Sequence, residues 1–183
     1  MTEPVRVGLV PGVLALLPEY AGQVDAVPEV RAAARDAVAW LAATGPVVVV
    51  ADEQGVRVGR RLLADVGATE AATAAAYLVV ANGSARRTDT APGYLDERAV
   101  PYDAAVESAL RRPDSEALRR IDVPLGDELL VGHPAGLARL GTLLRGAEPA
   151  LVDYADDPYG VQYWVMRWVV TDPNSLSEGK GCT

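Results

Sequence analysis

Gly45-Pro46-Val47-Val48-Val49-Val50 is the stretch that decides the fold class. Four consecutive β-branched residues behind a Gly-Pro breaker read as a short strand, and a strand apolar at every position is expected to be buried on both faces. Sheets built from such strands are parallel and covered by helices, so the flanking sequence should alternate helix with strand. Upstream, residues 28–43 carry Val30, Ala34, Ala37, Val38 and Leu41 at spacings of three and four, which makes one apolar helix face. Before them, Val5 to Val10 is a second short apolar run that ends at Pro11-Gly12. Downstream, Val58, Leu62, Leu63 and Val66 repeat the helical spacing, and Gly67 is placed to stop that helix. A short Ala-rich helix is expected over 70–76, leading into a third buried strand over 77–81.

Residues 83–100 show neither period, and unstructured loops of that length inside a compact domain are usually functional or mobile. Pro101 suits the first position of another helix, with Ala105, Val106, Ala109 and Leu110 as its core face. Short helical pieces are expected at 114–121, 125–131 and 134–144, and a short strand at 152–154. The longest strand is expected at 161–170. Its alternation puts Gln162, Trp164, Met166, Trp168 and Val170 on one face and Val161, Tyr163, Val165, Arg167 and Val169 on the other. The pattern predicts one α/β domain over 1–171, three layers deep, with a mixed sheet and helices on both faces; the polar tail 172–183 is expected to be disordered.

Composition narrows the function. The formal charge is −8, and 17 basic residues are scattered among 25 acidic ones, so a nucleic-acid backbone is not an expected partner. One histidine, His133, and one cysteine, Cys182, leave too few ligands for a zinc cluster or a two-histidine iron site within one chain. Half the residues are hydrophobic, yet there is no Phe, so the three Trp and seven Tyr are expected to supply most of the core's bulk. No run of 18 apolar residues and no signal-peptide pattern is seen, so a soluble cytoplasmic protein is expected.

The candidate site is the loop Asn82-Gly83-Ser84-Ala85-Arg86-Arg87-Thr88-Asp89-Thr90-Ala91-Pro92-Gly93-Tyr94-Leu95-Asp96-Glu97-Arg98, which leaves the sheet at the end of a buried strand, where open α/β sheets place ligands. Asn82, Ser84, Arg86, Arg87, Asp89 and Tyr94 could hold a small anion through charge-assisted hydrogen bonds. The same residues could instead only fix the loop, with Arg86, Arg87 and Arg98 pairing to Asp89, Asp96 and Glu97. His133, before Pro134 at a helix entrance, reads either as a general base or as a capping residue. Asp52-Glu53 and Asp156-Asp157 read as oxygen ligands for a divalent ion or as turn formers.

Several stretches carry a resemblance. Gly83-Ser84-Ala85-Arg86-Arg87, then Ala91-Pro92-Gly93-Tyr94-Leu95-Asp96-Glu97-Arg98-Ala99 and Pro101-Tyr102-Asp103-Ala104-Ala105-Val106, together with Pro158-Tyr159-Gly160-Val161-Gln162-Tyr163-Trp164 and Leu16-Leu17-Pro18-Glu19, resemble a group of actinobacterial proteins. That group is classed with the class III extradiol ring-cleavage dioxygenases, as relatives of their catalytic B subunit. The resemblance implies a three-layer α/β domain and, in active members, a ferrous ion held by two histidines and a carboxylate, with a further histidine as acid or base. The sequence departs from that pattern. The first-strand loop reads Val10-Pro11-Gly12-Val13, and the loop after the third strand reads Asn82-Gly83-Ser84-Ala85-Arg86, with no histidine in either. The chain is also shorter than the group's pattern, by about a strand and a helix somewhere between residues 52 and 77. The expected function is therefore that of a degenerate, non-catalytic relative without iron, which binds a small anionic molecule or a protein partner. Alternatives are an enzyme whose site is completed across the subunit interface of a homo-oligomer, a hydrolase using other residues, and a structural subunit with an exposed Trp164 face.

Overall fold

The computed structural model describes residues 4–171 apart from 21, 23, 74 and 75. The expected tail at 172–183 lies outside the described residues. Five strands, β1 (Val5–Val10), β2 (Val47–Val50), β3 (Ala76–Val80), β4 (Leu151–Asp156) and β5 (Tyr163–Val170), form one sheet in the order β2-β3-β1-β5-β4. β1, β2 and β3 run parallel, whereas β5 is antiparallel to both β1 and β4. The fold is thus α/β with a mixed open sheet, and the first and last strands of the chain are neighbours.

Helices α1 (Pro28–Ala42) and α2 (Glu53–Asp65) cover one face. Their apolar stripe follows the spacing read from the sequence, with Val30, Ala34, Ala37, Val38 and Leu41 of α1 all buried. α2 starts at Asp52, whose carboxylate accepts the Gly55 N–H at 2.7 Å and so caps the helix. It also approaches the sheet closely through Gly59, where a Cβ would stand 3.0 Å from Val49 and 3.2 Å from Val80. The other face is covered by α3 (Ala99–Arg111), α4 (Ser115–Arg119), α5 (Val123–Glu128) and α6 (Pro134–Leu143). Trp164, Met166, Trp168 and Val170 point to this side and Val161, Tyr163 and Val165 to the other, as the alternation of β5 predicts. Among the described residues, no helix is long and apolar enough to cross a membrane.

Four local expectations need correction. The valine strand β2 is an edge strand: only Val47 is fully buried, because one side of the strand has no neighbour beyond a single bridge from Val47 to Glu70. No helix forms over the described part of 70–76; Glu70 bridges to Val47, and Ala76 already belongs to β3. α3 begins at Ala99, so Pro101 is its third residue. Asp103, not Ala105, joins Val106, Ala109 and Leu110 on the buried side. Finally, only some of the tyrosines join the core: Tyr163 is buried, and Tyr77, Tyr102 and Tyr154 pack against it part-buried. Tyr20, Tyr94 and Tyr159 are more than half exposed, and the largest fully buried side chains are Trp164, Trp168 and a set of leucines. The Trp164 face is core, so it offers no exposed apolar surface of the kind that would favour a structural-subunit reading.

Candidate functional site

β3 ends where three connections meet. Ala81 donates to the Val10 carbonyl at the end of β1, and Asn82 forms an isolated antiparallel bridge with Gly132, just before α6. Gly83 N–H donates to Gln162 and Gln162 N–H returns to Ser84, which fastens the loop to the lead-in of β5 at 2.8 and 2.9 Å. A side chain at Gly83 would put its Cβ 2.6 Å from the Gln162 Cβ and 2.9 Å from Asp103 Oδ1, so only glycine fits this crossing.

Asn82 and Ser84 are buried, at 6% and 0% exposure, and both serve the loop itself. Asn82 Oδ1 accepts the Gly12 N–H at 3.3 Å while its amide donates to the Gly83 carbonyl at 3.0 Å. Ser84 Oγ accepts the Arg86 N–H at 3.0 Å. The chain then folds back on itself, with Gly93 N–H on the Ala85 carbonyl and Asp96 N–H on that of Arg86. The result is a compact Ω-like loop, not a slack connection.

The two adjacent arginines take opposite directions. Arg87 turns inward and donates to Asp103 Oδ2 at 2.9 Å and to Asp157 Oδ2 at 2.8 Å. Burial lowers its pKa, but the Asp157 and Asp103 carboxylates outweigh that and hold it above the ordinary guanidinium value. Asp103 is 1% exposed, and its Oδ1 also accepts the Ser84 N–H at 3.0 Å. Burial raises its pKa above the ordinary carboxylate value even so, against the pull of Ser84 and Arg87. Arg86 lies along the surface, donating to the Glu128 carbonyl at 3.0 Å and reaching the Tyr94 carbonyl at 3.5 Å, with Asp96 at 3.9 Å.

Arg98 pairs with Asp96 at 2.8 Å and with Glu128 at 2.9 Å. Of the pairs expected inside the loop, those of Asp96 form, while Arg87 finds its partners on α3 and in the turn before β5. Asp89 is exposed and joins no ion pair among the described residues. Tyr94 is 74% exposed and sits at a left-handed φ of 59°, as does half-exposed Leu130 at 55°. Both backbones are strained, and their N–H groups are held locally, Tyr94 by the Ala91 carbonyl and Leu130 by that of Asp127. Leu130 packs beside Gly93, where a Cβ would meet its Cδ1 at 2.6 Å.

His133 has Nδ1 3.2 Å from the Val80 carbonyl, so it bonds the backbone of β3 rather than an arginine of the loop. The paired acids serve locally: Asp52 caps α2, Asp156 Oδ1 accepts the Asp157 N–H at 2.8 Å, and Asp157 holds Arg87. Among the described residues, no group of three or more His, Cys, Asp or Glu side chains is placed to hold a metal ion. The donor set does not fit the ferrous site that the resemblance implies, since the whole chain offers one imidazole and its ring faces the main chain.

Sequence reasoning missed Asp103, Glu128, Leu130 and Gln162. For Asp103 a signal was available: it falls three residues before Val106, on the helix face assigned to the core, where a lone carboxylate demands a cation.

The fold and this loop define an α/β domain with a polar, internally tied loop at the end of its parallel strands. Compared with known protein families and with curated proteins, the chain matches no family model and no curated protein.

Proposed function

We propose that the chain is a non-catalytic relative of the class III extradiol dioxygenase catalytic subunit, and that its 82–98 loop is a rigid recognition surface for a protein partner. The observation that carries this reading is how the loop spends its polar groups. Arg87 is committed to Asp103 and Asp157, and Arg86 largely to main-chain carbonyls, so an anion at either would have to displace a bond already made. Beside its exposed polar residues the loop turns two large apolar side chains outward, Tyr94 and Leu95 at 74% and 44% exposure, and Leu130, between α5 and α6, adds a third at 50%. Large side chains on a braced backbone lose less entropy on docking, and tyrosine is enriched in protein interfaces.

Anaerobic isothermal titration with ferrous iron tests the non-catalytic part. No saturable binding is expected, and one tightly held iron per chain would overturn it. A parallel titration with acetate or inorganic phosphate addresses the loop. Saturable binding that is lost in Arg86→Ala would replace the recognition surface with the small-anion pocket.

A further inference from the structure

Tyr94 and Leu130 present large apolar side chains from a left-handed backbone, a conformation that glycine or asparagine adopts at much lower cost. The other left-handed non-glycine residues among those described are His133 and Tyr159. Both stand in segments bonded to the same loop: Gly132 bridges Asn82, and the Gly160 carbonyl accepts the Arg87 N–H. Backbone strain of this kind gathers at sites that bind. The two apolar side chains also belong to one surface. A Cβ on Gly93 would meet Leu130 Cδ1 at 2.6 Å, and the Arg86 guanidinium spans from the Tyr94 carbonyl to that of Glu128.

The charge around this surface is one-sided. Arg86 is committed to those carbonyls, and Arg98 to Asp96 and Glu128. Asp89, Glu97 and Asp127 are exposed, lie within five residues of Tyr94 or Leu130 along the chain, and join no ion pair among the described residues. The apolar centre therefore has a rim with carboxylates to spare, on a chain whose formal charge is −8.

We propose that the protein partner of this surface is basic: a segment that seats an apolar side chain against Tyr94, Leu95 and Leu130 and brings lysine or arginine to Asp89, Glu97 and Asp127. The inference rests on the recognition surface proposed above and names the chemistry of what it recognises. A second copy of this chain fits less well, because its own carboxylates would face these, and an anionic membrane would be repelled. Rim charges of opposite sign steer encounter, so the complex should weaken as salt rises.

Selection of random dodecapeptides displayed on phage, with the full chain as bait and Tyr94→Asn/Leu130→Asn as counter-bait, tests it. Asparagine tolerates the left-handed backbone, and the variant's fold is checked by circular dichroism. The peptides retained are expected to carry net positive charge and a large apolar residue. In fluorescence titrations they should bind about tenfold more weakly to Asp89→Asn/Glu97→Gln/Asp127→Asn, and more weakly to the parent as salt rises from ~0.05 to ~0.3 M. Neutral or acidic peptides that need Tyr94 and Leu130, or basic ones indifferent to the triple variant, would overturn the basic partner and leave the recognition surface standing. If no peptide separates the parent from Tyr94→Asn/Leu130→Asn, both fail. Dimerisation of the chain in analytical ultracentrifugation, abolished by that same double variant, would give the surface to a second copy and also overturn the basic partner.

Discussion

Arg87 and Arg98 stand near opposite ends of one loop, and each is placed between two carboxylates, yet the two arginines differ in burial. Arg87 is 15% exposed and one of its partners, Asp103, is 1% exposed; Arg98 is 54% exposed and reaches Glu128 at 61%. The inner cluster joins the loop to α3 and to the turn before β5; Arg87 and Asp103 have been taken out of water and depend on each other, while Asp157 stays 39% exposed. Arg98 and Glu128 of the outer cluster stay in water, with Asp96 at 15% exposure beside them, and there attraction is screened and two long side chains lose freedom to hold one geometry. An arginine between two acids thus locks the loop at one end and holds it only weakly at the other. The recognition surface at Tyr94 lies between them and is braced mainly from the inner end.

Removing Arg87 should break that comparison most sharply. Arg87→Leu leaves the Asp103 carboxylate buried with the Ser84 N–H as its remaining donor, and a cost of about 3–5 kcal/mol is expected by chemical denaturation. Gly83→Ala comes next. Its new Cβ would press on the Gln162 Cβ, which cannot retreat because its main chain is bonded to both Gly83 and Ser84, and about 2 kcal/mol is expected.

The inner lock shows how far sequence carries. Both faces of β5, the three parallel strands and the stop of α2 at Gly67 were legible, because periodicity and local capping act within a few residues. The partners of Arg87 were not, since they lie 16 and 70 residues away and the nearer acids Asp89, Asp96 and Glu97 offered an equally plausible set. β2 shows the same limit in another form. A run of valines reports apolar character, but whether a strand is central or at an edge depends on the strand order, which no single strand encodes. The Ala-rich stretch after Glu70 suits a helix by propensity, yet Ala71 gives its N–H to the Val47 carbonyl instead.

Acid–base behaviour should sharpen the contrast, with opposite signs at the two ends. Burial raises the Asp103 pKa, so the folded state holds that proton more tightly than the unfolded chain does. Its contribution to stability is present below the ordinary carboxylate range and is lost as the pH rises through the raised value. Asp96 is the reverse. The Arg98 side chain and backbone hold it down to about 2, so its contribution is present above the ordinary range and is lost as the pH falls toward 2. Asp103→Asn should therefore flatten the decline of stability above the carboxylate range, at a cost of about 1–2 kcal/mol for the poorer acceptor it offers Arg87 and Ser84. Asp96→Asn should flatten only the acid limb. Denaturation midpoints measured from pH 3 to pH 8 separate the two, and slopes of the same sign would show that the clusters are equivalent after all.

The smallest effect is the most discriminating. Arg98→Ala removes both outer ion pairs but buries no orphan charge, because Glu128 and the cleared side of Asp96 return to water. Asp96 keeps its hydrogen bond from the Arg98 main-chain N–H, which alanine also provides, and the Ala99 N–H still reaches the Asp96 carbonyl. The turn into α3 therefore survives. At about 0.15 M salt the denaturation midpoint of Arg98→Ala should match that of the parent within error, and lowering the salt should separate the two slightly as screening weakens. A loss comparable to that of Arg87→Leu would mean that the loop is braced equally from both ends, and that exposure is not what distinguishes them.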